Sequence, residues 1–222
     1  MEFFGNPAKK IYTDDYLNTG CAETTERESL MGDIKNKYWL DRDRVVMVVV
    51  DVQEKLVPSM NERVCGRVVQ HINMLLEGLT AMDLPVIATE QYPRGLGHTI
   101  EELTEATSQH CVEKVAFSCC GEPSFMEALE KTGRKQVLLV GMEAHVCVYQ
   151  TMVDLLDRGY QVHLVRDAIC SRFKSDYHTV ITTAPELGAV LTTTEMALFQ
   201  LLKVAGTAEF KVVSGLARRR TG

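Results

Sequence analysis

The stretch Val45-Val-Met-Val-Val-Val50, followed at once by Asp51-Val-Gln53, decides how this chain is read. A strand with one wet face alternates apolar and polar residues. Six apolar residues in a row leave no polar face, so this strand is covered on both sides, as in the middle of a parallel sheet. Downstream, Val64, Val68, Ile72, Leu75, Leu76 and Leu79 recur at helical spacing and predict a helix over 60–82, with Ser59 and Glu62 as a capping box.

The same alternation continues to the end of the chain. Short apolar runs at 85–89, 111–115, 136–140, 160–165 and 189–191 read as strands. They are separated by helices at 123–131, at 145–157, from a cap at Ser175 to Pro185 or Gly188, and at 195–204. Repeated βαβ units of this kind make an α/β domain around a parallel sheet. One domain accounts for residues 44–222, preceded by an extension over residues 1–43. The extension is polar and aperiodic, yet holds Phe3, Phe4, Tyr12, Tyr16, Tyr38 and Trp39. That many aromatics predict an arm packed on its own domain or on a neighbouring subunit.

With 222 residues, 45% hydrophobic and 24% charged, the chain has the makings of an ordinary globular protein. Its net charge of -6 gives no long-range pull toward nucleic acid or anionic lipid. No apolar run approaches the roughly 18 residues that would cross a bilayer. The first 43 residues carry nine acids against six bases and no apolar leader segment, so a cytoplasmic protein is expected. Seven cysteines show no zinc-binding spacing, and buried reduced thiols are expected of them.

In open parallel sheets ligands bind beyond the carboxyl ends of the strands. Three reactive side chains fall there: Asp51 after the first strand, Lys114 at the end of the third, and Cys147 after the fourth, in the first turn of a helix. A helix start and a nearby ammonium both favour thiolate, so Cys147 is expected to be acidified, with Asp51 opposing. A carboxylate in reach supplies the base that nucleophilic catalysis needs. Each residue also has an ordinary explanation: a valine-flanked cysteine as a small buried hydrophobe, a strand-end aspartate as a cap, a lone lysine as a solvated charge. Their joint placement at strand ends favours chemistry. His145, two residues from Cys147, does not face it on a helix, Cys119-Cys120 is read as two reduced thiols, and Arg218-Arg-Arg220 as a solvated tail.

The segments Val48-Val-Val-Asp-Val-Gln53, Glu113-Lys114-Val-Ala-Phe-Ser118 and Val140-Gly-Met-Glu-Ala-His-Val-Cys-Val148 resemble the Asp, Lys and Cys motifs of isochorismatase-like cysteine hydrolases. The loop Thr89-Glu-Gln-Tyr-Pro-Arg-Gly-Leu-Gly97 is similar to that of the isochorismatase domain-containing subgroup. The resemblance implies a three-layer α/β/α Rossmann-like fold with a six-stranded parallel sheet, and a homo-oligomer. It implies Cys147 as nucleophile, Asp51 as base and then acid, and Lys114 as the charge that holds both. A cis peptide at Met142-Glu143 and an oxyanion hole of the Glu143 and Cys147 N–H groups follow from it too. Gln53, Leu56, Gln91 and Tyr92 would line the substrate pocket. The nicotinamidases of the family hold a metal on an Asp-x-His motif that is Thr89-Glu-Gln-Tyr92 here, so no metal and no cofactor are expected. True isochorismatases lack the nucleophilic cysteine that this chain keeps.

The resulting expectation is an amidase-type hydrolase of a small C–N carbonyl compound, working through a Cys-linked acyl-enzyme. The competing reading is an oligomeric scaffold or small-molecule-binding protein with the same fold and little turnover. A thiol-redox role for Cys147 lacks a resolving cysteine nearby in sequence.

Overall fold

All six residues of β1 (Val45–Val50) are buried, and alternate side chains enter opposite cores. In this computed structural model, which describes residues 34–219, β1 lies inside a six-stranded, all-parallel sheet of order β3-β2-β1-β4-β5-β6. The other strands are β2 (Val86–Gln91), β3 (Cys111–Lys114), β4 (Gln136–Met142), β5 (Gln161–Cys170) and β6 (Val190–Thr192). Val45, Met47 and Val49 pack against α1 (Glu62–Ala81), α2 (Glu101–Thr107), α6 (Thr194–Leu202) and α7 (Ala208–Arg219). Val46, Val48 and Val50 face the core built on α3 (Pro123–Lys131), α4 (Tyr149–Asp157) and α5 (Lys174–Glu186). Each such valine or leucine contributes about 1.5–3 kcal/mol by leaving water. The result is the three-layer α/β/α arrangement.

Several boundaries move for identifiable reasons. Asn61, not Ser59, caps α1, its side chain accepting from Val64 N at 3.1 Å, because Val57–Ser59 form a 3-10 turn of their own around Pro58. Helix α5 starts at Lys174 without a side-chain cap, so Ser175 is not the cap that the sequence predicts. Strand β5 runs five residues beyond Val165. The charge of Asp167 inside it is met by Thr194, whose N and Oγ1 donate to Oδ1 at 2.8 and 3.0 Å. Helices α2 and α7 were not anticipated, and Arg218 and Arg219 belong to the last turn of α7 rather than to a loose tail.

The chain divides between Trp39 and Leu40. In the first unit residues 34–38 are helical, and the aromatics at 3, 4, 12 and 16 lie outside the described residues. In the second, Leu40 is buried in the core and Asp41 N donates to Gln136 Oε1 at 2.8 Å, so residues 40–43 pack with the domain. Among the described residues no helix is long and apolar enough to cross a membrane.

His163, on β5, is fully buried and neither ring nitrogen has a partner among the described residues. Burial pushes its pKa from 6.5 down to about 4. Between those values the unfolded chain binds a proton that the folded chain refuses, so stability is complete above pH 6.5 and falls as the pH drops toward 4. The loss amounts to about 3 kcal/mol. Urea unfolding from pH 7 to pH 4.5 should show it, and His163→Leu should flatten that part of the curve. An unchanged slope in the variant would assign acid lability to other groups.

Candidate active site

The strand order turns back between β1 and β4, since β2 and β3 lie on one side of that pair and β5 and β6 on the other. A crevice opens at such a switch point, and Asp51 and Cys147 follow its two strands. Asp51 leaves β1 with φ of +49°, a region few non-glycine residues occupy, and its N–H donates to Thr89 O at 3.1 Å. Its carboxylate is completely buried. Lys114 Nζ donates to Oδ2 at 2.7 Å and Thr89 Oγ1 donates to Oδ1 at 2.7 Å.

Lys114 reaches that position because Gln91 at the end of β2 pairs in register with it. Its ammonium, also buried, donates to Gln91 Oε1 at 2.7 Å and to the carbonyls of Phe117 and Ala116 at 3.0 and 3.2 Å. Burial by itself pulls the Lys114 pKa down. The negative charge of Asp51 and its hydrogen bond more than reverse this, and the group is held above its ordinary value. Lys114 therefore remains a cation despite its depth.

Cys147 sits in a single π-helical turn, Ala144–Val148, rather than in the first turn of an α-helix. The turn follows the Met142-Glu143 peptide, which is cis. Glu143 O accepts from Val146 N at 3.1 Å and Val148 N at 3.3 Å, while the Glu143 carboxylate accepts from Arg172 N and Nε at 3.0 and 3.1 Å. Cys147 is 5% exposed, and its thiol lies near enough to the Asp51 carboxylate to feel its charge. The expected acidification does not occur. Burial and then Asp51 push the thiol well above its usual value, and Lys114, already neutralised by Asp51 at 2.7 Å, offsets only part of this. At rest the site is thiol, carboxylate and ammonium.

Three further residues belong here that the sequence did not single out. Thr89 lies beside Asp51 because it pairs with Val50 in the sheet. Cys119 is fully buried, takes a bond from Thr89 or gives one to it across 3.7 Å, and interacts with Asp51, Lys114 and Cys147. Burial and Asp51 push its thiol up to about 12. A second thiol is thus near Cys147 in space although not in sequence. Thr151 Oγ1 accepts from Cys119 N at 2.9 Å and fixes that turn.

A profile of the Isochorismatase domain matches residues 45–196. The chain belongs to the isochorismatase family. Isochorismatase domain-containing protein 2 from Danio rerio is 38% identical over 173 residues, covering 77% of this chain and 85% of that protein. Isochorismatase domain-containing protein 1 from Salmo salar is 32% identical over 173 residues, and the match spans 78% of this chain but only 60% of that longer relative. The solved structure of MAR1 ribonuclease from Caenorhabditis elegans superposes with a TM-score of 0.76 at 34% identity, over 83% of this chain and 94% of that one.

The remaining family-derived positions divide by what their side chains do. In this isochorismatase-family chain Gln53 is buried and its amide is spent internally, donating to Gly97 O at 2.6 Å and Gln91 O at 3.1 Å and accepting from Gln91 N at 2.8 Å. Gln91 joins Lys114 to Val115 O. Leu56 is half-buried against the α1 core, and Tyr92 is 53% exposed beside a cavity of about 340 Å³ that Lys114 also borders. His145 points its nitrogens at Ser171 Oγ (2.9 Å) and Asp176 Oδ2 (3.6 Å), which leaves no Cys-His pair. The segment after β2 is clasped at its far end: Glu90 accepts from Thr99 N and Oγ1 at 2.7 and 2.8 Å and pairs with His98 Nδ1 at 2.9 Å.

Proposed function

We infer that this chain is a cysteine hydrolase that cleaves a small amide or related C–N carbonyl compound through an acyl-enzyme on Cys147. The observation that carries the reading is the buried chain of contacts from the Cys147 thiol to Asp51 and from Asp51 to Lys114 at 2.7 Å. A buried carboxylate and ammonium are costly to keep unless used or paired, and here the carboxylate sits against a thiol.

Asp51 takes the thiol proton as sulfur attacks the carbonyl carbon, so that the C–S bond forms while the carbonyl π electrons move to oxygen. The oxyanion is received by the N–H groups of Glu143 and Cys147. Collapse of that intermediate breaks the C–N bond, and the amine leaves with the proton held on Asp51. Water then attacks the thioester, giving its proton to Asp51. The acid departs and Cys147 recovers its proton. Lys114 orients Asp51 throughout and steadies its carboxylate whenever the proton has left it, and no step calls on a metal or cofactor.

A small substrate suits a thiol only 5% exposed better than a polymer does. The C. elegans neighbour carries a ribonuclease name. In this chain a net charge of -6 argues against a polyanion. The six cysteines among the described residues are all free, in keeping with the reducing cytoplasm. A homo-oligomer is part of the same proposal.

Acid-quenched intact-mass measurement with a panel of small amides tests it. A substrate should leave its acyl mass on the protein, mapped to Cys147 and lost in Cys147→Ser. Label on Cys119 instead, or turnover that survives Cys147→Ala, would overturn the assignment. A well-folded protein that never acquires an acyl group would make the scaffold reading the better one.

A further inference from the structure

A second concavity, of about 710 Å³, opens between the first half of α1, the end of β5 and the start of α5. It touches neither Asp51, Lys114 nor Cys147, and its volume is that of a small-molecule site. Its apolar wall is Val64, Val68 and Ile169. Its charges run against the rest of the protein: Arg67, Arg166, Arg172 and Lys174 line it with a single carboxylate, Asp167, in a chain of net charge -6.

That carboxylate is already engaged. Asp167 Oδ1 takes two bonds from Thr194, and Oδ2 lies 3.7 Å from His71 Nδ1. Arg172 is tied to Glu143, whereas Arg67, Arg166 and Lys174 form no ion pair with a described residue. His71 Nδ1 lies 2.7 Å from Asp167 O, and because a carbonyl only accepts, Nδ1 carries the proton. In the neutral ring Nε2 is then an acceptor, buried without a partner among the described residues and closed to a water-sized group from the cavity.

We propose that this cavity is a second binding site, for a small organic acid with an apolar body. The acid meets Arg67, Arg166 and Lys174, and the body covers Val64, Val68 and Ile169. Two lining residues also touch the turn that carries Cys147, since Ser171 bonds His145 and Arg172 holds Glu143. Occupancy of the cavity is therefore felt beside the nucleophile without blocking it.

The test is calorimetric titration of the full-length protein with 2-naphthoate and with its uncharged isostere, 2-naphthalenemethanol. The acid should bind and the alcohol should bind about tenfold more weakly or worse. The double variant Arg67→Ala/Arg166→Ala changes two exposed side chains outside any ion pair, and Val64→Glu brings a carboxylate to the apolar wall at a 39% exposed position. Each should weaken the acid by about tenfold while Cys147→Ser leaves it unchanged. Equal affinity for acid and alcohol would overturn the proposal, as would loss of binding in Cys147→Ser or no binding of the acid at millimolar concentration. Sedimentation velocity is the remaining arm: self-association of the wild type that Arg67→Ala/Arg166→Ala abolishes would give the cavity to a second copy of the chain and overturn it as well.

Discussion

Asp51→Asn should do two opposite things: abolish turnover and make Cys147 react faster with an alkylating agent. Asparagine keeps the shape and can still meet Thr89 and Lys114, but it has no proton affinity. The thiol then loses its base, and the leaving amine loses its acid. A positioned acid–base group contributes about 10²–10⁴-fold, so turnover should drop by about a thousandfold. Meanwhile the carboxylate that pushes the thiol up is gone, and Lys114, no longer neutralised at 2.7 Å, acts on sulfur alone. Thiolate becomes easier to form, and an alkylator, which needs no proton delivered, reacts sooner near neutral pH. Rates of iodoacetamide capture at Cys147, read by peptide mass, and steady-state turnover give the two halves. Parallel loss of both would show a collapsed site rather than a missing base. Lys114→Met is the harsher change, because it strands a buried carboxylate, and about 3–5 kcal/mol of stability should go with it.

Gly141→Ala should cost more than the same change at any other described glycine. Gly141 pairs with Val50 between the two central strands and has φ of +115°. A Cβ there would stand 2.1 Å from Val50 O and 2.6 Å from Val50 N, both main-chain atoms with nowhere to retreat. Strands β1 and β4 would have to part, at more than about 4 kcal/mol, a large share of a domain's usual 5–15 kcal/mol. Gly159→Ala is the control, since Gly159 also has positive φ (+76°) but open space around it, and strain alone is about 1–2 kcal/mol. Urea midpoints for the two variants should differ widely. Similar small losses would mean that β1 and β4 are not locked at this point.

The inner strands are legible because a buried parallel strand writes itself as an apolar run between turn residues, and Val45–Val50 does so without interruption, whereas the edge strand Cys111–Lys114 is mostly exposed. Helix α1 is equally plain, with its inward face repeated over five turns. Helix α2 is not, because seven residues with only Leu103 and Thr107 buried show no period. Helix α7 hides behind Ser214, Gly215 and the β-branched pair Val212-Val213, all poor helix formers held by packing of Val213 and Leu216. At the site, strand-end placement finds Asp51, Lys114 and Cys147. It cannot find Thr89 or Cys119, whose importance comes from a neighbour in the sheet and a turn in space. Nor can it give the sign of the thiol's shift, which burial sets first and Asp51 second, with Lys114 offsetting only part.

Glu90 and Gln53 hold residues 92–98 at both ends, Gln53 through Gln91 and Gly97, and Glu90 through His98 and Thr99. A ribbon riveted at its two margins is an interchangeable part. Its middle, Tyr92 to Leu96, can be rewritten by evolution or by an engineer while the rivets keep the frame and Asp51 where they are. On the proposed function, a change of substrate then needs no new scaffold, only a new ribbon.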